Sequence, residues 1–369
     1  MLIARSVHPL FGEAERKERL LNLVYGFSSR RILIVGDLIA DEFIYGDVAR
    51  VSREAPVLIL KYDATEILPG GAGNAANNVA ALGGRARLAG LVGADPEGAR
   101  LLGGFHRGVD RSAVVRSKGY RTPVKTRILA GGVHAARQQV VRIDREADWP
   151  VADSVSQAFA RKVVSLVESC DGVLLSDYGS GLVTPILADA IRRAVAKRPR
   201  RRPIPVLVDS RYRLLDYRGL TTCTPNESEV EQVLGIHIDD DAAALERAGR
   251  LLLKKTRMNG VLVTRGSRGM ALFEPRRPTV HIPIFGSGEV ADVTGAGDTV
   301  IATFGLALAA GASLYEAARL SNYAGGLVVK KRGTATVSQQ ELADAVITDH
   351  DTTVENWSQE GPAQGRRQS

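Results

Sequence analysis

ADVTGAGDT, the sequence of residues 291–299, precedes an apolar run of small residues that extends to residue 310. Such a run is typical of a buried helix, and the first turn of that helix would contain Gly295, Ala296 and Gly297. Because the backbone N–H groups of a first helical turn lack partners, we predict that this turn binds an anion. A carboxylate repels an anion, so we interpret the adjacent Asp298 as a base that takes a proton from an attacking hydroxyl. The alternative is that Asp298 only caps the helix.

Strand and helix patterns alternate along most of the chain before this stretch. Predicted strands lie at residues 31–36, 88–92, 172–175, 205–208, 221–224 and 260–263. Predicted helices lie at residues 75–82, 96–102, 154–168, 185–197, 227–234, 241–256, 298–310 and 314–329. The alternation predicts an α/β fold in which a central, mostly parallel sheet has helices on both faces. Residues 270–273 and 280–284 are predicted to form a late antiparallel pair.

Two segments have β character without helical periodicity. Residues 43–62 contain short, interrupted β-type runs, and residues 120–143 contain two more, with a hairpin turn at residues 131–132. We predict that these segments form a small β-sheet lid.

The glycine-rich sequence PGGAGN, residues 69–74, would let a ligand approach the backbone closely. Gly71, Gly73 and Ala76 fit the relaxed dinucleotide pattern G-x-G-x-x-A. The preceding strand-like run, residues 57–62, is expected to end well before the glycines. A nicotinamide-binding site is therefore disfavoured.

Polar side chains occur where predicted strands end, which is the edge at which open α/β sheets bind ligands. These side chains are Asp37, Asp41, Asp177, Asp209, Asn226 and Thr264. For Asp37 and Asp41 the alternative is a loop-capping role. Asn226 and Glu229, spaced i and i+3, suit Mg²⁺ held through water, or else form a capping box. Gly266 and Gly269 either cover a nucleotide or turn a hairpin.

Composition sets outer limits on the function. The 369 residues are 44% hydrophobic, carry a formal net charge of +8 and include two cysteines, Cys170 and Cys223, so we expect a reduced, cytoplasmic protein. No apolar run approaches the ~20 residues of a membrane helix. The basic run at residues 197–202 is interpreted as a solvated loop, and no nucleic-acid motif accompanies it. A P-loop and the protein-kinase HRD and DFG motifs are missing as well.

Three motifs together resemble the ribokinase or PfkB family of carbohydrate kinases: PGGAGNAANNVAALG (69–83), NESE (226–229) and DVTGAGDT (292–299). The resemblance covers about residues 31–347. Within the family the chain is most similar to kinases of D-glycero-β-D-manno-heptose 7-phosphate, the kinase half of the bifunctional enzymes of ADP-heptose synthesis. The stretches that carry this similarity are GDLIADEFIYGDVARVSREAPV (36–57), VKTRI (124–128), QQVVRID (138–144), LSDYGSG (175–181) and KRGTATVS (331–338).

The resemblance implies a ribokinase-like fold, ATP and Mg²⁺ as cofactors, and a sugar or sugar phosphate as substrate. It implies that Asp298 is the catalytic base, that residues 295–297 form the anion hole for the γ-phosphate, and that Asn226 and Glu229 order Mg²⁺. Predicted ATP contacts are Asn226, Thr264, Gly266, Gly269 and Asn322. Predicted substrate contacts are Asp37, Asp41, Gly70, Gly71, Asn74, Lys125, Arg142 and Asp177. Asp292 and Thr294 match positions that bind a monovalent cation such as K⁺ in relatives.

The sequence departs from the heptose kinases at two points. Ser180 stands where they have a lysine, and Ser210-Arg211 stands where they usually have Pro-Lys. Lys125, Arg127, Arg142 and Arg211 remain as candidate anion contacts. The alternatives to heptose 7-phosphate are therefore ribose, fructose, fructose 6-phosphate or a nucleoside as acceptor, or a non-catalytic sugar or nucleotide sensor.

The predicted domain organisation has three parts. Residues 1–30 form an N-terminal extension, residues 31–348 form the kinase domain, and residues 349–369 form a disordered tail. A homodimer through the β lid is expected.

Overall fold

The computed structural model describes residues 13–131, 137–146, 151–198, 204–286 and 290–349. Its strands are β1 (Arg31–Gly36), β2 (Leu38–Val51), β3 (Leu58–Gly71), β4 (Arg85–Gly93), β5 (Val109–Ser117), β6 (Val124–Gly131), β7 (Gln138–Arg145), β8 (Gly172–Asp177), β9 (Val206–Ser210), β10 (Thr222–Cys223), β11 (Gly260–Thr264), β12 (Met270–Phe273) and β13 (Val280–Ile282). Its helices are α1 (Glu13–Tyr25), α2 (Ala72–Ala81), α3 (Pro96–Gly103), α4 (Asp153–Leu166), α5 (Pro185–Ala196), α6 (Glu227–Leu234), α7 (Ala242–Thr256), α8 (Ala296–Ala310), α9 (Leu314–Val328) and α10 (Gln339–Thr348).

The central sheet has the predicted, mostly parallel arrangement. Within the described ranges its order is β13-β12-β11-β10-β9-β8-β1-β4-β5. Neighbouring strands from β11 to β5 pair in parallel, whereas β12 and β13 pair antiparallel, as predicted. The α/β fold class is confirmed.

Alternate residues of the buried strands face two separate cores. Ile32 and Ile34 pack with α2, α8 and α9 on one face of the sheet. Leu33 and Val35 pack with α4, α5 and α7 on the other face. The continuous apolar run of β1 follows from this burial on both faces.

The lid is a four-stranded sheet in the order β3-β2-β6-β7. Its strands are longer than the sequence indicated. The prediction that the strand-like run at residues 57–62 ends well before the glycines of residues 69–74 is wrong. β3 runs to Gly71 and continues into α2, because residues without apolar alternation still pair with β2, from Glu66 with Phe43 to Gly71 with Leu38. This pairing is antiparallel, so it does not create the parallel strand that a dinucleotide motif requires.

Two elements of the fold, β5 and α10, have no counterpart in the sequence predictions. α1 falls where the sequence indicates a helix in the N-terminal extension, at about residues 12–25. It packs against α8 and α10 and buries Leu23, Val24 and the adjoining Phe27. Residues 13–29 of the predicted extension therefore pack on the domain. The predicted tail at 350–369, residues 1–12, the lid turn at 132–136 and most of the basic loop, residues 199–203, lie outside the described residues. In the described part of the chain no helix is long and apolar enough to cross a membrane.

Candidate active site

Two cavities meet at the carboxyl ends of β1, β8 and β9. The lid cavity, of about 220 Å³, lies under the lid and is lined by Asp37, Lys125, Arg142, Tyr178, Ser180 and Arg211 among others. The sheet cavity, of about 380 Å³, is lined by Tyr178, Asp209, Arg211, Asn226, Glu229 and Asp298 among others. The structure thus gathers residues from distant parts of the sequence at the predicted edge of the sheet.

Asp298 is buried and lines the sheet cavity. Its Oδ2 accepts a hydrogen bond from Asn74 Nδ2 at 3.0 Å, and its Oδ1 accepts one from the Tyr178 hydroxyl at 3.0 Å. Burial raises the pKa of Asp298 to about 7, Asp41 also raises it, and the two hydrogen bonds and Lys125 lower it. A carboxyl group that titrates near neutral pH can accept a proton from a hydroxyl and release it again.

The start of α8 has the predicted open geometry. Gly295 precedes the helix with a φ of 75°, and no side chain caps the first turn. The Asp298 carboxylate is held by Asn74 and Tyr178 and not by this turn, which speaks against the capping alternative. Gly295 and Gly297 both line the sheet cavity. A methyl group at Gly297 would meet no atom within 4 Å, so the space above the helix start is open.

Two aspartates at strand ends have their carboxylates occupied by protein donors. Asp37 accepts the backbone N–H groups of Tyr178 (2.8 Å) and Ser180 (3.2 Å) and the Ser180 hydroxyl. Asp177 accepts the Ser210 hydroxyl at 2.8 Å and the Tyr217 hydroxyl at 2.6 Å. Burial raises the pKa of Asp37 to about 6. These contacts organise the turn after β8, and they match the loop-capping alternative for Asp37.

Asp41 forms a largely buried ion pair with Arg127, whose guanidinium also stacks over Phe43. The Asp41 carboxylate lies against Gly70, where a Cβ would be 2.2 Å from Oδ2. Glycine at this position therefore leaves room for the carboxylate. Arg127, proposed from sequence as an anion contact, is already engaged with Asp41.

Three of the four predicted cations line the lid cavity. Lys125 places its ammonium group 4.8 Å from the centre of the Tyr178 ring, and burial lowers its pKa. Arg142 binds Asp144 through two hydrogen bonds of 2.8 and 2.7 Å. Arg211, from the loop after β9, lines both cavities. The cavity under the lid is therefore suited to an anionic group.

Asn226 and Glu229 form the capping box of α6. Asn226 Oδ1 accepts the Glu229 N–H at 2.8 Å, and Glu229 Oε2 accepts the Asn226 N–H at 2.9 Å. Both residues also line the sheet cavity, together with Asp209 and Thr264. Burial is the main cause that raises the pKa of Glu229 and of Asp209, and Glu229 raises that of Asp209 further. The Asn226–Glu229 pair thus both caps α6 and lines the sheet cavity.

The remaining predicted residues lie around these cavities rather than in them. Gly266 and Gly269 turn the chain between β11 and β12, and a Cβ at Gly269 would be 2.1 Å from the Ile282 carbonyl oxygen. Asn322 donates to the Pro283 carbonyl at 2.8 Å. Asp292 accepts the N–H groups of Thr294 (2.9 Å) and Gly333 (3.0 Å), which ties two loops together beside α8.

Sequence reasoning did not select Tyr178 as a site residue. Tyr178 lines both cavities and contacts Asp298. Its only sequence signal is its place directly after a buried strand that ends in Asp177. Asp209 was noted at a strand end but was not assigned a role.

The profile of the pfkB family of carbohydrate kinases matches residues 30–341. The chain belongs to this family. The bifunctional protein HldE of Geobacter metallireducens is 43% identical over 324 residues, which are 86% of this chain and 63% of that protein. The HldE protein of Trichlorobacter lovleyi is 41% identical over 325 residues, 88% of this chain and 64% of that protein. The chain thus spans less than two thirds of the length of these relatives and matches their kinase half.

Solved structures show the same fold at low sequence identity. The ribokinase of Giardia lamblia superposes with a TM-score of 0.68 at 18% identity and covers 86% of this chain and 98% of that one. The ribokinase of Arabidopsis thaliana, solved with ribose and ATP, has a TM-score of 0.66 at 20% identity, with the same coverage of 86% and 98%. The ribokinase-like fold of this pfkB member is therefore established, and its membership of a kinase family implies ATP use.

The two glycines at the start of α8 should respond differently to alanine. Gly297→Ala should leave the free energy of unfolding nearly unchanged but lower kcat/KM for ATP by roughly tenfold or more, because the methyl group would enter the space above the helix start. Gly295→Ala should destabilise the fold by about 1–2 kcal/mol from its positive φ alone, and its Cβ would clash with Asn74. Chemical denaturation and steady-state kinetics measure both effects. Wild-type ATP kinetics in Gly297→Ala would contradict a phosphate site at this turn.

Proposed function

We propose that this protein transfers the γ-phosphoryl group of ATP to the 1-hydroxyl of D-glycero-β-D-manno-heptose 7-phosphate and forms the 1,7-bisphosphate. The single observation that carries a transfer reaction is the buried Asp298, which lines the sheet cavity beside the uncapped start of α8 and accepts a hydrogen bond from Tyr178, a residue that also lines the cavity under the cationic lid. The identity of 41–43% to the kinase half of HldE proteins, and the heptose-kinase-like stretch at residues 36–57, support the choice of acceptor.

Asp298 would serve as the general base. Its carboxylate is fixed by Asn74 and Tyr178, and its pKa of about 7 allows proton transfer from the acceptor hydroxyl at neutral pH. The open first turn of α8 would stabilise the negative charge of the phosphoryl group with backbone N–H groups. Catalysis by this site would consist mainly of positioning and electrostatic stabilisation.

The sheet cavity fits the phosphate end of ATP. Besides the open helix start, it contains Thr224, whose buried hydroxyl oxygen has no hydrogen-bond partner among the described residues. A free buried hydroxyl is costly, and a polar ligand would satisfy it. Thr264, Gly266, Gly269 and Asn322 remain proposed contacts to the nucleotide further from the helix start.

We also propose that Asn226 and Glu229 hold Mg²⁺ through water, with Asp209 nearby. Glu229 and Asp209 line one cavity, burial raises the pKa of both and Glu229 raises that of Asp209 further, so a cation would relieve the repulsion between their carboxylates. In the described ranges no three His, Cys, Asp or Glu side chains are grouped to bind a metal directly, which a water-mediated site does not need. When bound, Mg²⁺ would neutralise phosphate charge.

A monovalent cation such as K⁺ is proposed beside Asp292 and Thr294. Each oxygen of Asp292 accepts one backbone N–H and retains a lone pair. The nearby Thr334 has a buried hydroxyl oxygen without a partner among the described residues, and its methyl group lies next to Gly295. The chemistry of these oxygens suits a hard monovalent ion.

The acceptor is tested with a panel of sugars. The value of kcat/KM for heptose 7-phosphate should exceed that for the neutral heptose, ribose and fructose by roughly 10²-fold. The side chains of Lys125 and Arg211 each lie over a tyrosine ring, and each would form a charge-assisted contact with the phosphate of the sugar. Two such contacts, of about 1.5–3 kcal/mol each, would favour a phosphorylated sugar. Fructose 6-phosphate separates recognition of the phosphate from recognition of the heptose.

Asp298→Asn is the control for this panel. It should lower kcat by ~10²–10⁴-fold while ATP still binds, because an amide cannot accept the proton. Equal or better use of a neutral sugar by the wild type would remove the heptose phosphate assignment. Phosphorylation of no sugar, with ligand binding intact, would favour a sensor.

Glu229→Gln separates the metal role from the capping role. Glutamine also completes a capping box, so α6 should remain stable while the Mg²⁺ concentration for half-maximal activity rises severalfold. Glu316→Gln is a matched control, because Glu316 completes the capping box of α9 with Ser313 at the remote end of α8. An unchanged Mg²⁺ requirement in Glu229→Gln would leave only the capping role.

We propose that the chain is a cytoplasmic homodimer joined through its lid. The outer strands of the lid expose large apolar side chains, namely Leu58 and Tyr62 on β3 and Val140, Val141 and Ile143 on β7. An outer strand that exposes apolar side chains offers an edge on which a second chain can pair. Tyr62→Glu should shift the wild-type dimer toward monomer in sedimentation velocity. Tyr25→Glu, at a side chain 55% exposed on α1, should not, and a monomeric wild type would refute the dimer.

A further inference from the structure

Among the described residues, Tyr178 and Arg211 line both cavities. Of these two, Tyr178 is the one that donates a hydrogen bond to Asp298. We propose that Tyr178 is a positioning residue that holds the Asp298 carboxylate in the orientation and charge state required for proton transfer. This inference rests on the proposed kinase function, because it assigns Asp298 the role of base.

The carboxylate of Asp298 is held from two sides. Tyr178 donates to Oδ1 and Asn74 donates to Oδ2, each at 3.0 Å, so the carboxylate cannot rotate without losing a hydrogen bond. Each oxygen keeps a lone pair beyond the one used. The acceptor hydroxyl would therefore meet an oxygen whose direction is already fixed.

Tyr178 itself is fixed by contacts on several sides. Its backbone N–H donates to Asp37 Oδ2 at 2.8 Å, and the Lys125 ammonium lies over its ring. The ring edge lies so close to Gly71 that a Cβ there would be 3.3 Å from Cε2. A side chain restrained in this way can orient a neighbour, whereas a mobile phenol could not.

The hydroxyl of Tyr178 also favours the charged form of the base. Burial and Asp298 raise the pKa of Tyr178 well above its usual range, so the phenol stays protonated and donates. The other charged groups that act on Asp298 are Asp41 from β2 and Lys125 from β6, and Asp298 in turn raises the pKa of Asp209 from β9. Asp41 raises the pKa of Asp298, whereas Lys125, Asn74 and Tyr178 lower it. Loss of the Tyr178 hydroxyl should therefore raise the pKa of Asp298 further. As pH falls, Asp298 would then become protonated at a higher pH than in the wild type.

Tyr178→Phe tests the role, because it keeps the ring and removes only the hydroxyl. The value of kcat at pH 7 should fall roughly tenfold, since a hydrogen bond to a charged group is comparable to one pKa unit. The acid limb of the kcat profile should move to higher pH, activity should recover toward wild type in alkali, and KM for ATP should change little. A ring that only fills space would leave the pH profile in place.

Tyr217→Phe is the matched control, because Tyr217 also donates from a buried position to a buried aspartate, Asp177. It should leave the acid limb where the wild type has it. An equal shift in both variants, or an unchanged acid limb in Tyr178→Phe, would overturn the proposal.

A second measurement does not depend on activity. The Asp298 carboxyl is titrated by carbon-13 NMR in the unliganded protein, with Asp298→Asn to assign the signal. Tyr178→Phe should titrate at higher pH than the wild type, and equal titration would overturn the proposal. If the wild type phosphorylates no acceptor, the proposed function fails while this titration still decides the contact.

Discussion

The hydrogen bonds that converge on the Asp298 carboxylate connect the parts of this molecule that matter for function. One donor comes from α2, which follows the lid, and the other from the turn after β8, in the middle of the central sheet. The carboxylate itself stands at the start of α8, which packs in the core. These contacts thus fix the positions of the lid, the central sheet and α8 relative to one another at one buried carboxylate.

Such a centre costs folding free energy. Burial raises the pKa of Asp298 to about 7 and that of Asp37 to about 6, from an ordinary value of 3.8. Between the ordinary and the raised pKa the folded chain binds more protons than the unfolded chain, so these groups reduce stability as pH rises through that window. The apolar cores on both faces of the sheet must offset this cost, which is a common feature of sites that hold ionisable groups in low dielectric.

Much of the fold can be predicted from the sequence because most segments have a local pattern that matches the structure they adopt in the folded protein. The apolar run of β1, the Asn226 capping box and the glycines before α8 all predicted their elements closely. The sequence predicts β3 too short because residues 63–66 carry no apolar alternation. The strand state of residues 64–66 depends on pairing with β2, which a local pattern cannot show. In the site, Asp298 was marked by its motif, whereas Tyr178 depends on a contact across 120 residues of sequence. The pairing of Asp41 with Arg127 was hidden for the same reason.

Because β3 continues directly into α2, the lid and the Asn74 side chain that contacts Asp298 belong to one continuous segment of the chain. Gly71, the last residue of β3, has a φ of 57° and leads directly into the helix that carries Asn74. A change of length at the hairpin tip, residues 52–57, alters only the end of this segment that is farthest from Asp298. A single residue gained or lost within β3 would exchange the two faces of the strand where no bulge absorbs it. The pairing of β2 with β3 is irregular beyond Tyr45 and regular from Tyr45 to Leu38, so a change of length in the regular part, next to α2, would disturb Asn74 most.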